Sequence, residues 1–203
     1  MKKIIVDIRT YLSIALLNKR RYPTCRLESY IHPEICIGQK VTIKKNVSLS
    51  DKIKRIGTGT YIGDYTTIMN CRHIGNYCSI SHGVKIGLEN HTFDALSTSP
   101  LIAPMNKETT GTIIENDVLI SANSLIMAGV RLGTGCVIGA GSFVNKDVPP
   151  YAIVAGTPAR IIRFRFDEGT IKEILESKWW ELDYSEIIKL DFKNPSRAFR
   201  KSH

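Results

Sequence analysis

One short segment holds the side chains of this 203-residue sequence that are best suited to acid–base chemistry. His91 follows Asn90, with one carboxylate at Glu89 and another at Asp94. Because neutral imidazole is the side chain best able to accept a proton near pH 7, His91 is a candidate general base for transfer of a group to a hydroxyl or an amine. Either Glu89 or Asp94 could orient its ring, and the sequence does not choose between them.

A second group of candidate residues lies nearer the C-terminus and is basic. Arg160, Arg163 and Arg165 follow the Gly-Thr-Pro turn at 156–158, and Lys146 precedes it. Such a cluster suits a polyphosphate, because guanidinium and ammonium groups form charge-assisted hydrogen bonds with phosphate oxygens. The alternative is a solvated basic end of the fold.

The elements that must position these residues are predicted by an internal repeat. An aliphatic residue recurs every six positions in three runs, and a small or β-branched residue often follows four places later. A helix would repeat at 3.6 residues and an ordinary strand at two, so a period of six predicts short strands joined by tight turns. The sixteen aliphatic positions are Ile31, Ile37, Ile43 and Leu49; Ile56, Ile62, Ile68, Ile74, Ile80 and Ile86; and Ile114, Ile120, Ile126, Leu132, Ile138 and Val144.

This repeat predicts an all-β solenoid, a three-sided parallel β-helix of about five coils with about eighteen residues in each. The aliphatic residues point inward and stack from coil to coil, and Cys78 and Cys136 fall in the small inward positions. Thr170 and Glu173 predict a capping box at the start of a C-terminal helix. The expected organisation is an N-terminal helix or cap over residues 1–30, the β-helix over residues 31–160, and a C-terminal helix and basic tail over residues 161–203.

The lattice stops after Ile86 and resumes at Ile114, so residues 88–112 must leave the coil as a loop. Long loops in regular solenoids commonly carry function. An isolated histidine is more often solvated or part of a core, but His91 opens the interruption of the lattice. Its position therefore favours a functional role.

Over roughly residues 31–180 the hexad pattern resembles the hexapeptide-repeat acetyltransferases, whose fold is a left-handed parallel β-helix. The stretch from Asn90 to Asp94 followed by Ser97-Thr98, and the later Trp179-Trp180-Glu181-Leu182, resemble the xenobiotic acetyltransferase branch of that family. The resemblance implies that His91 is the general base and that acetyl-CoA is the co-substrate. It also implies a homotrimer, with each site in a groove between subunits.

The same resemblance implies the residues around both substrates. The acceptor-site candidates are His73, Asn90, Phe93 and Asp94. In family members the pantetheine arm lies along the coil edges near the last coils, and Lys and Arg meet the phosphates. The donor-site candidates are accordingly Ala140, Asn145, Lys146, Pro158, Arg160 and Arg163, although the family more often has Thr or Val in place of Asn145.

The acceptor that this resemblance favours is a hydroxyl or amine of a sugar, in a surface polysaccharide or its nucleotide-sugar precursor. Enzymes that acetylate chloramphenicol or streptogramins share the same signatures and are the alternative. A metal-dependent hydratase similar to the γ-class carbonic anhydrases is a rival, because His73 lies eighteen residues, one coil, before His91. The pattern offers no third ligand, so no metal is expected. A non-catalytic solenoid would leave the loop and the basic cluster unexplained.

The net charge of +9 is concentrated at the two ends of the chain. Residues 1–30 carry seven Lys or Arg against two acids, residues 191–203 carry four against one, and the body between them is nearly balanced. A balanced body does not suit a nucleic acid. The basic N-terminal segment could touch an anionic membrane surface or cap the first coil. Five cysteines without a CxxC pair, and the lack of a signal-peptide pattern, predict a reducing, cytoplasmic location.

Overall fold

The computed structural model describes residues 13–14, 16–90, 92–99, 101–102, 110–193 and 198. Within them the chain winds into a three-sided solenoid of short strands. The strands in chain order are β1 (Arg26–Leu27), β2 (Cys36–Ile37), β3 (Thr42–Ile43), β4 (Ser48–Leu49), β5 (Arg55–Ile56), β6 (Tyr61–Ile62), β7 (Thr67–Ile68), β8 (Cys71–Ile74), β9 (Ser79–Ile80), β10 (Lys85–Leu88), β11 (Thr112–Ile114), β12 (Leu119–Ile120), β13 (Leu125–Met127), β14 (Arg131–Leu132), β15 (Val137–Ile138), β16 (Phe143–Val144), β17 (Ala152–Gly156) and β18 (Ala159–Phe164).

Each side of the solenoid is one sheet of parallel strands. Face A contains β1, β3, β6, β9, β12, β15 and β17, with β18 added antiparallel at its edge. Face B contains β2, β5, β8, β11 and β14, and face C contains β4, β7, β10, β13 and β16. The chain visits the faces in turn, so each strand pairs with the strands one coil before and after it.

The aliphatic residues of the hexads fill the interior, as the repeat predicts. Cys78 and Cys136 are buried beside them, which confirms their predicted inward positions. Small polar residues in the same positions form hydrogen bonds with backbone groups. The Thr60 hydroxyl, for example, donates to the Gly75 carbonyl at 2.8 Å. Burial of one such aliphatic side chain contributes about 1.5–3 kcal/mol, so stability accumulates coil by coil. The stacked inward residues of face A without exposed surface include Ile43, Ile62, Ile80, Ile120 and Ile138.

The predicted count of about five coils matches the five strands on each of faces B and C. It is too low for face A, which has seven parallel strands among the described residues. The two additional levels are β1, before the regular lattice, and β17, after it. Leu27 pairs with Ile43, and Ile138 pairs with Val154, so these connections are shorter than the others. A count of six-residue repeats therefore does not include them.

The C-terminal residues cover one corner of the solenoid. After β18 come helix α1 (Glu168–Ser177), a 3-10 turn (Trp179–Glu181) and helix α2 (Tyr184–Ile187). The N-cap of α1 is Asp167, whose side chain accepts a hydrogen bond from the Thr170 amide at 2.9 Å. The predicted capping box from Thr170 to Glu173 is wrong, because Asp167 occupies the capping position three residues earlier.

The buried indoles of the 3-10 turn attach this segment to the corner between faces B and A. The ring of Trp179 packs on that of Tyr77, with centroids 5.4 Å apart. The Asn76 side-chain amide donates to the Trp180 carbonyl at 2.9 Å. The C-terminal segment is therefore a fixed part of the outer surface of the early coils.

Residues 16–21 are helical and lie against the first coil. Asn18 is buried, and its side-chain amide donates to the carbonyls of Leu27, at 3.1 Å, and Ser29, at 2.9 Å. These bonds use backbone groups at the open end of face A. Among the described residues, no helix has the length and hydropathy that a bilayer crossing requires. Residues 1–12 of the expected N-terminal helix lie outside the described residues.

Candidate active site

The interruption of the lattice leaves the solenoid at the corner where face C meets face B. It follows β10 on face C and rejoins at β11 on face B, so both of its ends lie at one corner. The candidate base His91 lies outside the described residues, but Glu89 and Asn90 before it are described. We call the surface formed by Lys52, Asn70 and Glu89 the loop corner.

Asn70 holds both ends of the loop. It is buried, and its backbone carbonyl accepts a hydrogen bond from the Thr112 amide at 2.9 Å. Gly87 and Gly111 flank the loop and approach Asn70 closely; a Cβ on Gly87 would lie 2.4 Å from its backbone nitrogen, and a Cβ on Gly111 would lie 2.9 Å from its Oδ1. Side chains at these two glycines would therefore displace Asn70. The site residues predicted from the sequence do not include Asn70, although it stands one coil, eighteen residues, before Leu88 at the start of the loop.

The Glu89 carboxylate is held at the loop corner, two residues before His91. Its Oε1 accepts a hydrogen bond from Asn70 Nδ2 at 2.6 Å and lies 3.7 Å from Lys52 Nζ. Glu89 and Asp94, the two carboxylates that the sequence left open, are both exposed. The fold gives Glu89 a hydrogen bond and an ion pair at the loop corner, two residues before His91 in the sequence. A cavity of about 230 Å³ opens at this corner, and the residues that line it include Ser48, Ser50, Lys52, Met69, Asn70 and Glu89.

The other loop residues predicted to contact the acceptor face solvent. Asn90, Phe93 and Asp94 are all exposed, and Phe93 has 78% of its surface accessible. Exposed apolar side chains concentrated in one short segment are typical of a surface that contacts another molecule. Among the described loop residues, the large apolar side chains that are exposed are Phe93, Leu96, Leu101 and Ile102.

His73, the remaining acceptor-site candidate, lies on face B. It pairs with Arg55 on β5 and with Ile113 on β11. Burial lowers the pKa of His73, the nearby charge of Arg55 lowers it further, and Glu115 acts in the opposite direction. The imidazole is therefore neutral at pH 7 and can offer a hydrogen bond without carrying charge.

The donor-site candidates are all exposed, but the fold separates them into two groups and places Arg163 apart from both. The turn between β17 and β18 sits over the corner between faces A and C, where the Gly156 amide donates to Ser142 Oγ at 3.2 Å. The residues grouped there are Ala140, Pro158 and Arg160. Asn145 and Lys146 follow β16. They therefore lie at the same corner as the loop but further along the solenoid. Arg163 lies further along β18, opposite Ile153.

The buried thiols and the described metal-ligating side chains do not form a second chemical centre. Burial raises the pKa of the Cys71 and Cys78 thiols to about 12, so both are protonated and unreactive at neutral pH. Within the described part of the chain, no three His, Cys, Asp or Glu side chains are grouped so that they could hold a metal ion.

Comparison with known proteins connects this architecture to acyl transfer. A family model described as bacterial transferase hexapeptide (six repeats) matches residues 111–146. The chain is 40% identical over 121 residues to a chloramphenicol acetyltransferase of Agrobacterium fabrum, and the matched region covers 53% of this chain and 58% of the relative. It is 37% identical over 129 residues to a probable macrolide acetyltransferase of Lysinibacillus sphaericus, and the matched region covers 57% of this chain and 72% of the relative. The chain spans about three fifths of the length of the chloramphenicol acetyltransferases that it matches.

Two solved structures share the fold. A hexapeptide-repeat acetyltransferase from Vibrio cholerae O1 biovar eltor, complexed with acetyl coenzyme A, has a TM-score of 0.50 and 26% identity, covering 78% of this chain and 85% of that one. AntD, an N-acyltransferase from Bacillus cereus in complex with dTDP and 3-hydroxybutyryl-CoA, has a TM-score of 0.53 and 26% identity, covering 76% and 85%. With a six-residue lattice that closes into three parallel faces, and with relatives of this identity and coverage, the chain belongs to the hexapeptide-repeat acetyltransferases, and its coil is the left-handed parallel β-helix of that family.

Proposed function

We propose that this protein transfers the acetyl group of acetyl-CoA to a hydroxyl or amine of a sugar. The observation that carries the proposal is the loop corner, where Asn70 and Lys52 hold the Glu89 carboxylate two residues before His91 and beside a cavity. The acetyltransferase names of the relatives support acyl transfer. The coenzyme A ligands of the structural neighbours support acetyl-CoA as donor.

In the proposed reaction, the imidazole of His91 accepts the acceptor's proton while the acceptor oxygen or nitrogen attacks the thioester carbonyl carbon. The carbonyl π electrons move to oxygen, where a backbone amide stabilises the oxyanion. When the carbonyl re-forms, the C–S bond breaks and the coenzyme A thiolate takes the proton from the imidazolium. Glu89 is a positioning residue that orients the ring and favours the imidazolium form.

An antibiotic acceptor is the second candidate. The named chloramphenicol and macrolide acetyltransferases, at 40% and 37% identity, favour it. The exposed apolar surface at Phe93 and Leu96 would suit an acceptor with little charge. A panel that contains free sugars, nucleotide-linked sugars and chloramphenicol separates the two candidates by their kcat/KM values.

We further propose that the enzyme is a homotrimer in which the apolar loop residues Phe93, Leu96, Leu101 and Ile102 pack on a neighbouring subunit. Their exposure in the single chain supports this arrangement. Light scattering in solution should give three times the 22.7 kDa mass of the chain. The five free thiols support a reducing, cytoplasmic location.

Substitution of the base tests the mechanism. In a thiol-release assay with acetyl-CoA and the acceptor panel, His91→Ala should lower kcat by at least about a hundredfold, the scale that a general base contributes. His82→Ala is the matched control, because His82 is exposed in a turn between faces A and C. Turnover by His91→Ala close to that of the wild type would rule out the proposed mechanism.

A further inference from the structure

Face B carries a cluster of cationic side chains beside the loop corner. Arg55 on β5 pairs with His73 on β8, and the Lys54 amide donates to the Arg72 carbonyl at 3.0 Å, so these residues lie opposite one another on adjacent coils. Neighbouring strands lie about 4.8 Å apart. Lys54, Arg55 and Arg72 are all exposed. We call these three residues the face-B basic patch.

The charge of this patch is not neutralised by the carboxylates around it. Among the described residues, none of the three cations forms an ion pair. Glu115 is held by Arg131, with Nη2 at 2.5 Å from Oε1, and Glu89 is held by Lys52 and Asn70 at the loop corner. Like charges on adjacent strands repel and destabilise the sheet. Their presence together is therefore a cost that binding of an anion would remove.

The patch is continuous with the proposed catalytic loop on one side. The stem of Arg72 lies against Gly111, where the loop rejoins the coil; a Cβ on Gly111 would be 2.7 Å from Arg72 Cγ. Arg72 is also only two residues from Asn70, which holds both loop ends. A ligand bound at the loop corner would therefore lie next to the side chain of Arg72.

On the other side, the patch borders a groove. Arg55 Nη2 lies 3.5 Å from Asn76 Oδ1, at the wall of a groove of about 430 Å³ between the early coils and the C-terminal segment. This groove leads away from the loop corner and offers space for a group attached beyond the phosphates. The side chains that line it also include Lys40 and Thr58, and the carboxylates of Glu181 and Asp183.

We propose that the face-B basic patch binds the phosphates of the acceptor, so that the acceptor is a sugar phosphate or a sugar linked to a nucleoside diphosphate. The proposal rests on the proposed acetyl transfer. The sugar would lie at the loop corner, the phosphates would contact Arg55 and Arg72, and any nucleoside would lie in the groove. Each guanidinium group presents a planar pair of N–H donors, and phosphate oxygens can accept both hydrogen bonds. Of the predicted donor-site cations, Arg160 and Arg163 lie on β18 of face A, and Lys146 lies further along the solenoid, after β16.

Binding of a simple probe tests the patch without turnover. Isothermal titration calorimetry should detect inorganic pyrophosphate and UDP binding to the full-length protein. The double variant Arg55→Gln/Arg72→Gln should weaken this binding at least about tenfold, because it removes charge-assisted hydrogen bonds that contribute to the binding free energy. Lys172→Gln, which removes one exposed charge on α1, is the matched control and should bind as the wild type does. Equal binding by the double variant and the wild type, with circular dichroism showing both folded, would overturn the proposal.

Steady-state kinetics distinguish phosphates of the acceptor from those of coenzyme A. The double variant should raise KM for a phosphorylated sugar at least about tenfold and leave KM for acetyl-CoA and for the same unphosphorylated sugar within about twofold. A rise confined to KM for acetyl-CoA would assign the patch to the donor and overturn the acceptor proposal. Failure of the His91 mechanism is separable, because His91→Ala should bind pyrophosphate with unchanged affinity.

Discussion

Faces A and B are alike inside the solenoid and different outside it. Both present aliphatic residues to the interior, and these pair coil by coil along each sheet. From β3 to β15 the outward residues of face A are uncharged, whereas those of face B include Arg55, His73 and Arg131. The inward positions of the hexad therefore specify the coil, while the outward positions are free to specify what the surface binds.

The largest predicted change is in the free energy of unfolding, and its size depends on whether the substituted residue points into or out of the solenoid. Ile120 is buried and Leu119, its neighbour on β12, is 38% exposed. Ile120→Ala should lower the free energy of unfolding by about 2–5 kcal/mol, because it leaves a cavity between stacked coils. Leu119→Ala should change it by less than about 1 kcal/mol. Urea denaturation at one fixed protein concentration measures both, and similar losses in the two variants would contradict the division between inside and outside.

A smaller effect is expected where adjacent coils approach most closely. A Cβ on Gly75 would lie 2.5 Å from the carbonyl oxygen of Glu115 in the next coil. Gly75→Ala should therefore destabilise the protein by about 1–3 kcal/mol, because one coil must move away from the other. Gly169→Ala, in helix α1, should alter stability by less than about 1 kcal/mol. Thermal unfolding of the two variants provides the test; equal melting temperatures would show that the coils tolerate wider spacing.

The outward charges of face B should also produce a modest pH dependence. Burial alone would raise the pKa of Glu115, but hydrogen bonds from Thr134 and Arg131 outweigh it and lower the pKa below its usual value of 4.5. The ionised carboxylate therefore stabilises the fold above pH 4.5, and this contribution is lost as the pH falls through the lowered value. Glu115→Gln should cost about 1 kcal/mol at pH 7 and less near pH 3.

Urea titrations at both pH values measure this difference. Glu176→Gln, which removes an exposed partner of Lys172 at 4.0 Å, should have no measurable effect at either pH. A loss from Glu115→Gln that is independent of pH would show that the side chain acts through packing rather than through its charge.

The smallest expected effect concerns the two donor-site groups. Lys146→Gln and Arg160→Gln should each raise KM for acetyl-CoA by about threefold to tenfold, because each removes one exposed cation from a polyphosphate. KM for the acceptor should stay the same. An effect of Arg160→Gln alone would place the coenzyme A phosphates at the corner between faces A and C, away from the loop corner.

Much of this molecule could be predicted from the inward positions. The repeat of Ile and Leu predicted the solenoid, and its interruption located the loop that contains His91. The same reasoning missed β1 and β17, because their connections depart from the regular spacing. It also left Glu89 and Asp94 equivalent, because the contacts of Glu89 with Asn70 and Lys52 form only between coils.

The coil follows from the amino-acid sequence alone, because every inward side chain must match its counterpart in the next coil and so repeats with a period that can be read along the chain. Which outward residues become neighbours depends on the folded arrangement of the coils. The body of the chain is nearly neutral in sum, yet folding brings Lys54, Arg55 and Arg72 together on one face. Outward residues face solvent and obey no period, so their grouping is set by coil register and by the length of the loop between coils.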